Sequence, residues 1–238
     1  MNPSDIEKRL KQLKKPTLVY TFDLNDDSSP NLLSHIGGKP YIQTHEKYPV
    51  CKTCKEKMNF VCQLYIPKKD QYFLYVFYYC FHCCSTKGNA GFDMRIYQNP
   101  TMKNCKRSRR QEFISYAEFY FEPSWSLPSW EVLESYDPTT YEMIQELYPE
   151  EPFEAYEQCR ANLIEFDGID FLAYYGGFPE FVKEVDVPIC SCCQKQMKLF
   201  LQLNSFEEFS MVWGNVGCLY LFTCEKQAAN FQIVVQDF

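Results

Sequence analysis

An internal recurrence constrains the fold of this chain more than any other feature of its sequence. Residues of the stretch from Gly37 to Leu64 return 139 positions later in the same order and without a gap. The recurring pairs are Gly37 and Gly176, Gly38 and Gly177, Pro40 and Pro179, Cys51 and Cys190, Cys54 and Cys193, Met58 and Met197, Gln63 and Gln202, and Leu64 and Leu203. Because chance does not hold a register over nearly thirty residues, the sequence predicts two copies of one structural unit.

A further repeated motif lies outside this register. Leu74-Tyr75-Val76-Phe77 is repeated as Leu219-Tyr220-Leu221-Phe222, six residues further along than the common spacing allows. We therefore expect one copy to carry a short insertion between its strands. The paired glycines at the start of each copy are typical of a turn that requires positive φ.

Alternating apolar residues indicate a strand-dominated α+β fold. Residues 17–22 and 58–66 alternate as strands do, and Tyr72–Tyr79 is apolar on both faces, which is typical of a central strand. Short connections favour antiparallel pairing. The pattern predicts two duplicated antiparallel β subdomains related by pseudo-symmetry, with a zinc-ribbon-like knuckle in the first. After a strand over 114–121, Pro123–Pro128 is expected to be irregular.

Three helices and three regions are predicted. The helices cover residues 4–14, 139–148 and 151–165, and Asp137-Pro138 supplies an N-cap and a first-turn proline for the second of them.

The regions are a first repeat with knuckles (1–110), an acidic connecting region (111–168) and a second repeat (169–238). We expect the two halves to form one compact unit.

Charge is distributed unevenly along the chain. The formal net charge is −7, yet residues 111 to 186 hold 18 Asp and Glu against 2 Lys and Arg. Such a block attracts basic partners over the roughly 8 Å that physiological salt leaves unscreened. It is equally typical of a solvated face that only keeps a protein soluble, and both interpretations stay open. Within residues 131–157, the candidate partner-binding residues are Glu150, Glu151, Glu154 and Glu157.

The composition favours an intracellular protein with reduced cysteines. No apolar run approaches the roughly 20 residues of a membrane span, and the charged residues 5–15 do not resemble a signal peptide. The 13 cysteines, three pairs of them in CxxC spacing, therefore indicate metal binding rather than disulfides.

Two CxxC pairs predict a zinc site. Cys51-x-x-Cys54 and Cys80-x-x-Cys83 can each present two thiolates to a tetrahedral ion, and a hairpin of two strands can bridge the 25 residues between them. His82 or Cys84 can replace Cys83 as the fourth ligand, and the sequence does not decide between them.

The second repeat retains only part of this pattern. Cys190 and Cys193 form a possible second metal site, which Cys224 can complete beside the extra thiol of Cys192. The favoured interpretation is nevertheless a degenerate repeat without metal, because no second CxxC follows.

Catalytic patterns are poor, so we expect a protein that is not an enzyme. The chain has only three histidines, and it has no glycine-rich phosphate loop. Two alternative classes of function stay open. One is a zinc-ribbon RNA-binding or ribosome-associated factor that uses the basic loop with Lys106, Arg107, Arg109 and Arg110. The other is a hydrolase or thiol enzyme.

The series of motifs resembles the programmed cell death protein 2 family, over almost the whole chain. The matching segments are Ser34–Pro40, the first CxxC, Cys62–Pro67, Leu74–Phe77, Arg95–Gln98, Tyr116–Pro123, Tyr174–Pro179, Leu219–Cys224 and Gln236–Phe238. The GGxP, CxxCxxxM and QL patterns are also similar to those of the bacterial YwqG-like proteins. The chain departs from the first family in lacking an inserted MYND-type zinc finger and in its Cys-x-Cys-Cys cluster.

This resemblance implies a role in ribosome assembly. Members of that family act as dedicated chaperones of one small-subunit ribosomal protein, number five in the universal nomenclature, during 40S biogenesis and rRNA maturation. We expect the chain to be a cytoplasmic monomer, and whether it also enters the nucleus stays open. It is expected to capture a basic segment of the ribosomal protein on its acidic surface or in the cleft between the repeats.

Overall fold

The described part of the chain forms one antiparallel sheet and a layer of helices. This computed structural model describes residues 3–24, 30–83, 91–106, 113–164, 173–183 and 187–237. The strands are β1 (Lys15–Leu24), β2 (His35–Ile36), β3 (Asn59–Lys68), β4 (Gln71–Tyr79), β5 (Phe92–Gln98), β6 (Ala117–Ser126), β7 (Ala173–Gly176), β8 (Lys198–Asn204), β9 (Cys218–Thr223) and β10 (Phe231–Gln236). The helices are α1 (Pro3–Leu13), α2 (Trp130–Tyr136), α3 (Pro138–Leu147) and α4 (Pro152–Ile164). Among these described helices, none has the length and apolar character needed to cross a membrane.

The two predicted halves share a single sheet. The strand order is β10-β9-β8-β7-β1-β6-β2-β3-β4-β5, and neighbouring strands are antiparallel. The centre of the sheet is the β1–β6 pair, which is in register from Lys15↔Ser126 to Leu24↔Ala117. We call β2–β5 the first arm and β7–β10 the second arm. Since β2 pairs with β6 and β7 pairs with β1, the arms leave the central pair on opposite sides.

The sheet curls into a nearly closed barrel. The ring of Tyr75 on β4 lies 4.8 Å from that of Phe200 on β8, although these strands belong to different arms. One buried cluster joins Phe77 of the first arm to Leu201 and Leu221 of the second. The strand-dominated antiparallel fold predicted from the sequence is therefore confirmed, and twist closes it around a shared apolar interior.

The aromatic strand β4 is internal, as its composition predicted. It lies between β3 and β5. Its alternate residues Leu74, Val76 and Tyr78 enter a second buried cluster on the outer side of the sheet. Phe77 and Tyr79 face the barrel interior instead. Both faces of this strand are buried, which is why its sequence has no polar face.

The two arms repeat their local geometry at the spacing seen in the sequence. The φ values are +59° and +68° at Gly37 and Gly38, and +73° at both Gly176 and Gly177, so the expected positive φ is confirmed. A β-bulge interrupts β3 between Phe60 and Cys62, and another interrupts β8 between Leu199 and Leu201. These equivalent bulges lie 139 positions apart, like the glycines.

A buried glutamine anchors the turn that precedes each arm's first long strand. The side-chain carbonyl of Gln63 accepts the N–H of Tyr41 at 2.9 Å, and that of Gln202 accepts the N–H of Glu180 at 3.0 Å. Both glutamines are almost fully buried. Each accepts a main-chain N–H of its turn, and at Tyr41 this satisfies a group that would otherwise be buried without a partner.

The insertion in the second arm is five residues, not six. In the first arm Phe60 pairs with Tyr78, and in the second arm Leu199 pairs with Phe222. Tyr78 and Phe222 are therefore equivalent and lie 144 positions apart, five more than the common spacing. The sequence comparison was wrong because it matched two similar apolar strings with a slip of one residue. The insertion lies in the β8–β9 connection, whereas β3 and β4 are joined by Lys69 and Asp70 alone.

Strand β6 continues through a segment predicted to be irregular. Pro123 lies inside the strand, which ends only at Ser126. A proline is tolerated there because Pro123 pairs with Leu18 at a position where its nitrogen points away from β1. The sequence alone could not reveal this, since it depends on the register with β1.

The helices pack together beside the central strands. Leu10 of α1, Leu133 of α2, Ile144 of α3 and Tyr156 of α4 share one buried cluster with Leu127. Three of the four helices were predicted within two residues of their ends. Asp137 caps α3 as expected, accepting the N–H of Thr140 at 3.3 Å. The short α2 was not predicted.

Candidate metal centres

Four sulfur atoms meet where the first arm's knuckle approaches the end of β4. The Sγ atoms of Cys51 and Cys83 are 3.5 Å apart, as are those of Cys54 and Cys80 and those of Cys80 and Cys83. All four sulfur atoms lie within 4.8 Å of one another. The structure thus brings together the four residues that the sequence singled out, and this group can hold a metal ion.

The spacing of these sulfurs fits a tetrahedral ion. A zinc–thiolate bond of about 2.3 Å implies sulfur–sulfur edges of about 3.8 Å in a tetrahedron. The separations of 3.5 Å are close to this value. A disulfide requires about 2.05 Å instead, and all four of these cysteines are free. Four thiolates would leave no open position for a substrate.

The alternatives for the fourth ligand are not equivalent. Cys83 contributes its sulfur to the cluster, whereas His82 is exposed and is not part of it. Cys84 lies outside the described residues. Within the described part of the chain, Cys83 is therefore the residue placed to act as fourth donor.

A second group of four sulfurs lies at the equivalent place in the second arm. Its sulfur–sulfur distances are 3.1 Å for Cys190 and Cys192, 3.5 Å for Cys192 and Cys224, and 3.7 Å for Cys193 and Cys224. These four sulfurs also lie within 4.8 Å of one another, so a metal ion can be held here too. The sequence named Cys190 and Cys193 as the possible second site, with Cys224 to complete it beside the thiol of Cys192, and the structure brings all four together.

The fourth donor of the second cluster comes from a different place in the repeat. With the five-residue insertion counted, Cys224 is the counterpart of Cys80. The counterpart of Cys83 is Gln227, which cannot supply a thiolate. Cys192 stands where the first knuckle has Thr53, and it contributes the missing sulfur. Because no second CxxC follows, the sequence favoured a second repeat without metal. The Cys-x-Cys-Cys spacing was the sequence signal for the alternative, a second metal site.

Both knuckles have the same backbone architecture. The N–H of Cys51 donates to the carbonyl of Glu56 at 2.8 Å, and the N–H of Cys190 donates to that of Lys195 at 2.8 Å. The turn closes through Lys55 at φ 65° in one arm and Gln194 at φ 55° in the other. Each turn therefore holds its cysteines by main-chain geometry and not by the identity of the intervening residues.

The first cysteine of each knuckle sits among groups that favour its thiolate. Burial of Cys51 raises its pKa, but hydrogen bonds from the N–H groups of Cys54 and Thr53 and from neighbouring thiols outweigh this and lower the pKa to about 6. For Cys190, the thiol of Cys192 is the largest influence and lowers the pKa to about 6, against the opposing effect of burial. A lowered pKa leaves more of the thiol ionised at neutral pH, and the thiolate is the form that binds a metal ion.

Replacing Cys192 by threonine tests the second centre, because threonine occupies the equivalent position in the first knuckle. If zinc fills both clusters, we expect Cys192→Thr to retain one ion per chain after dialysis against a chelator that leaves two on the wild type. Native mass spectrometry counts the ions. Cys218→Ser changes a half-buried thiol of the same arm that lies outside the cluster, and it should retain both. Two tightly held ions in Cys192→Thr would exclude Cys192 as a ligand.

The other candidate residues lie away from the clusters. Glu150, Glu151 and Glu154 are exposed around the start of α4, whereas Glu157 is partly buried and pairs with Arg160 at 3.2 Å. Arg160 also contacts Glu180, so it ties the helix layer to the second arm. Of the basic loop, Lys106 is described and exposed; Arg107, Arg109 and Arg110 lie outside the described residues.

A family profile matches most of the chain. The family is described as "Domain of unknown function (DUF1963)", and the match runs over residues 34–235, which include both arms and both cysteine clusters. None of the curated proteins is significantly similar to the chain.

Proposed function

The chain belongs to the DUF1963 family, and from that premise we propose that it is a binding protein rather than an enzyme: a dedicated chaperone of a small-subunit ribosomal protein. Within this proposal the partner is the universal small-subunit protein five, and the process is assembly of the 40S subunit. The choice of partner rests on the sequence resemblance to the programmed cell death protein 2 family. The capture mechanism rests on the surface of the helix layer.

The observation that carries the proposal is the charge of the helix layer. The segment from Trp130 to Ile164 holds nine acidic residues and one basic residue, Arg160. Arg160 is largely buried and engaged by Glu157 and Glu180. The exposed acidic residues of the segment are Glu131, Glu134, Glu142, Glu146, Glu150, Glu151 and Glu154. The lysines of α1 border this layer, and Arg9 pairs with Asp137 at 3.4 Å. The acidic surface is thus formed by α2, α3 and α4.

An acidic surface of this kind suits a partner that otherwise binds RNA. Ribosomal proteins carry basic extensions whose Lys and Arg bind phosphate with little sequence preference. Carboxylates that cover these side chains compete with phosphate and keep the extension from premature contact with RNA. Steering by the same charges would speed capture at low salt and weaken as salt rises.

Zinc in both clusters is part of this proposal. A set of four thiolates suits zinc, and such closed sites stabilise a fold without taking part in catalysis. Each ion would fix the outer end of one arm and hold its knuckle against the strands. This supports a structural role for the metal and leaves binding to the surface.

Internal duplication also belongs to the proposal. The shared 139-residue spacing of glycines, bulges, glutamines and knuckles supports the view that one ancestral arm was copied. The second copy would then have acquired Cys192 in place of its lost fourth donor. A two-fold arrangement of arms around β1 and β6 would follow directly from that history.

Neutralising the helix layer tests the capture mechanism. We expect the triple variant Glu150→Gln, Glu151→Gln and Glu154→Gln to bind the small-subunit protein at least about tenfold more weakly at 0.15 M salt, because three charges contribute roughly 0.5 kcal/mol each. The readout is the Kd from fluorescence anisotropy, with co-purification from cells in parallel.

A control variant removes the same number of negative charges outside the helix layer. The triple variant Glu56→Gln, Glu207→Gln and Glu208→Gln alters three exposed carboxylates outside the helix layer and should bind like the wild type. If both variants weakened binding equally, the loss of affinity would be due to the change in net charge and not to the helix layer. Purification with intact RNA and no ribosomal protein would favour the RNA-binding alternative through the loop at Lys106.

A further inference from the structure

Basic side chains gather at the outer end of the first arm. The knuckle that carries Cys51 and Cys54 has lysines at positions between and just after its cysteines. These are Lys52, Lys55 and Lys57, and all three are exposed. The ammonium of Lys55 donates to the carbonyl of Lys52 at 2.7 Å, so these two side chains lie over the same turn.

The tertiary structure brings a second segment with lysines beside the chain that leads into the knuckle. The N–H of Lys106 donates to the carbonyl of Ile42 at 2.7 Å, and its ammonium donates to the carbonyl of Glu46 at 3.5 Å. Residues 101–106 therefore lie against residues 42–46. We call the exposed lysines of these segments and of the knuckle the basic patch, which consists of Lys47, Lys52, Lys55, Lys57, Lys103 and Lys106.

Negative charge is scarce around the basic patch. Residues 43–57 and 101–106 together hold six lysines and two glutamates. One of these glutamates, Glu46, accepts the hydroxyl of Tyr97 at 2.6 Å and pairs with Arg95 at 3.6 Å. Its carboxylate is therefore engaged by β5, and only Glu56 remains beside the lysines.

Most lysines of the patch have no acidic partner. Lys198, an exposed lysine of the second arm, lies 2.6 Å from Glu225. Within the part of the chain that the structure describes, no carboxylate lies at ion-pair distance from five of the six patch lysines, namely Lys47, Lys52, Lys55, Lys103 and Lys106. Their charges are available to a ligand without the loss of an internal ion pair.

The second arm shows that the fold does not require these lysines. Its knuckle has the same main-chain geometry, yet the counterparts of Lys52, Lys55 and Lys57 are Ser191, Gln194 and Gln196. Charge balance at the metal does not explain the lysines either. A zinc ion held by four thiolates would keep a net negative charge in both clusters, whereas only the first knuckle carries three lysines.

The composition of the patch favours a nucleic acid over a protein as its partner. Interfaces between proteins are depleted in lysine and have an apolar core. Interfaces with nucleic acids are much more positively charged. In residues 43–57 and 101–106, the exposed large apolar side chains are Val50 and Met102, which is too little to form such a core. Ammonium groups bind phosphate as point charges.

We propose that the basic patch binds the phosphate backbone of RNA. Contacts to phosphate carry no sequence information, so binding should depend little on the base sequence. The patch belongs to the first arm, whereas the acidic surface of the proposed function is formed by α2, α3 and α4. The inference therefore goes beyond the proposed function and does not depend on it, since a basic protein and RNA would bind at different surfaces of one chain.

The test uses the full chain with its metal and a fluorescein-labelled RNA of about 15 uridines. The variant Lys52→Ser, Lys55→Gln and Lys57→Gln gives the first knuckle the residues of the second. The turn should persist, because Gln194 has φ 55° where Lys55 has φ 65°. We expect the Kd at 0.15 M salt to rise at least about tenfold and the slope of log K against log salt to fall by about 2, since each contact to single-stranded RNA contributes about 0.7. Native mass spectrometry should show an unchanged metal content.

A control variant removes three exposed lysines from the corresponding end of the second arm. Lys195→Gln, Lys198→Gln and Lys226→Gln should bind the RNA within about twofold of the wild type. Equal weakening by both variants would overturn the proposal, because it would reflect net charge alone. Absence of RNA binding by the wild type at 0.15 M salt would also overturn it. Displacement of the RNA by an equal concentration of a glutamate peptide of the same charge would show that the patch binds acidic proteins instead.

The same variants separate this proposal from the proposed function. The knuckle variant should still capture the ribosomal protein, and the glutamine variant of Glu150, Glu151 and Glu154 should still bind the RNA. RNA bound at the patch without capture of the ribosomal protein would support the patch and refute the chaperone function. Capture of the ribosomal protein with RNA binding that is unaffected by the knuckle variant would overturn the patch and leave the chaperone function in place.

Discussion

If a structural metal ion fills the first cluster, replacing Cys51 by serine is expected to remove it and to lower the Tm by at least about 10 °C. Cys51 is fully buried, and its sulfur lies 3.5 Å from that of Cys83. Structural zinc contributes roughly 10–16 kcal/mol to the folding of small zinc modules. Here the strands and a buried apolar cluster also stabilise the fold, so removal of a metal ion should lower the free energy of unfolding by less than that. A loss of several kcal/mol shifts Tm by about 2–4 °C per kcal/mol in a chain of this length. Native mass spectrometry and scanning calorimetry measure the two effects.

A second cysteine of the same arm supplies the control. Cys105 packs against the same apolar cluster as Cys51 but is not among the four grouped sulfurs. Cys105→Ser should keep the full metal content and stay within about 3 °C of the wild-type Tm, as expected for a modest change in packing. If Cys51→Ser kept its metal and its Tm, the cluster would not be a metal centre.

Replacing Gly37 by alanine is expected to destabilise the protein by at least about 3 kcal/mol. Gly37 has φ +59°, and a Cβ there would lie 2.1 Å from the carbonyl oxygen of Ser115 and 2.3 Å from that of Ile114. Both obstacles are main-chain atoms, which cannot rotate away as a side chain can. The left-handed backbone adds about 1–2 kcal/mol of its own. Urea denaturation gives the free energy of unfolding.

The repeat provides a matched control for this prediction. Gly176 is the counterpart of Gly37 and has φ +73°, but the nearest atom to its Cβ would be the carbonyl oxygen of Pro16 at 3.7 Å. Gly176→Ala should therefore cost only the backbone term of about 1–2 kcal/mol. Equal losses in both variants would show that conformation alone, and not the close approach to Ser115, requires glycine at the start of the first arm.

Features that depend on neighbouring residues could be predicted. Asp137 and Pro138 identified the start of α3 because a cap acts within one turn of helix. The CxxC spacing identified Cys51, Cys54, Cys80 and Cys83 as one group, and the repeat identified the glycines with positive φ. The aromatic run of β4 identified an internal strand, since both of its faces must be buried.

Features that depend on distant neighbours were missed or misplaced. The extension of β6 through Pro123 follows from its pairing with Leu18, which is more than 100 residues away in the chain. The sequence offered Cys224 to complete the second cluster but favoured a metal-free repeat, because no second CxxC follows and the counterpart of Cys83 is Gln227. The apolar strings that suggested a six-residue insertion are similar by composition, whereas register is set by the strand beside them.

The sequence by itself determined the local pieces of this protein: the knuckles, the glycine turns, three helices, the strand periods and the concentration of acidic residues. Those properties arise from steric and hydrogen-bonding preferences within a few residues of the chain. Only the tertiary structure decided that both arms share one sheet and that Cys192 joins Cys190, Cys193 and Cys224. Each of these depends on which distant segments become neighbours, and that is fixed by burying the apolar faces of all ten described strands together.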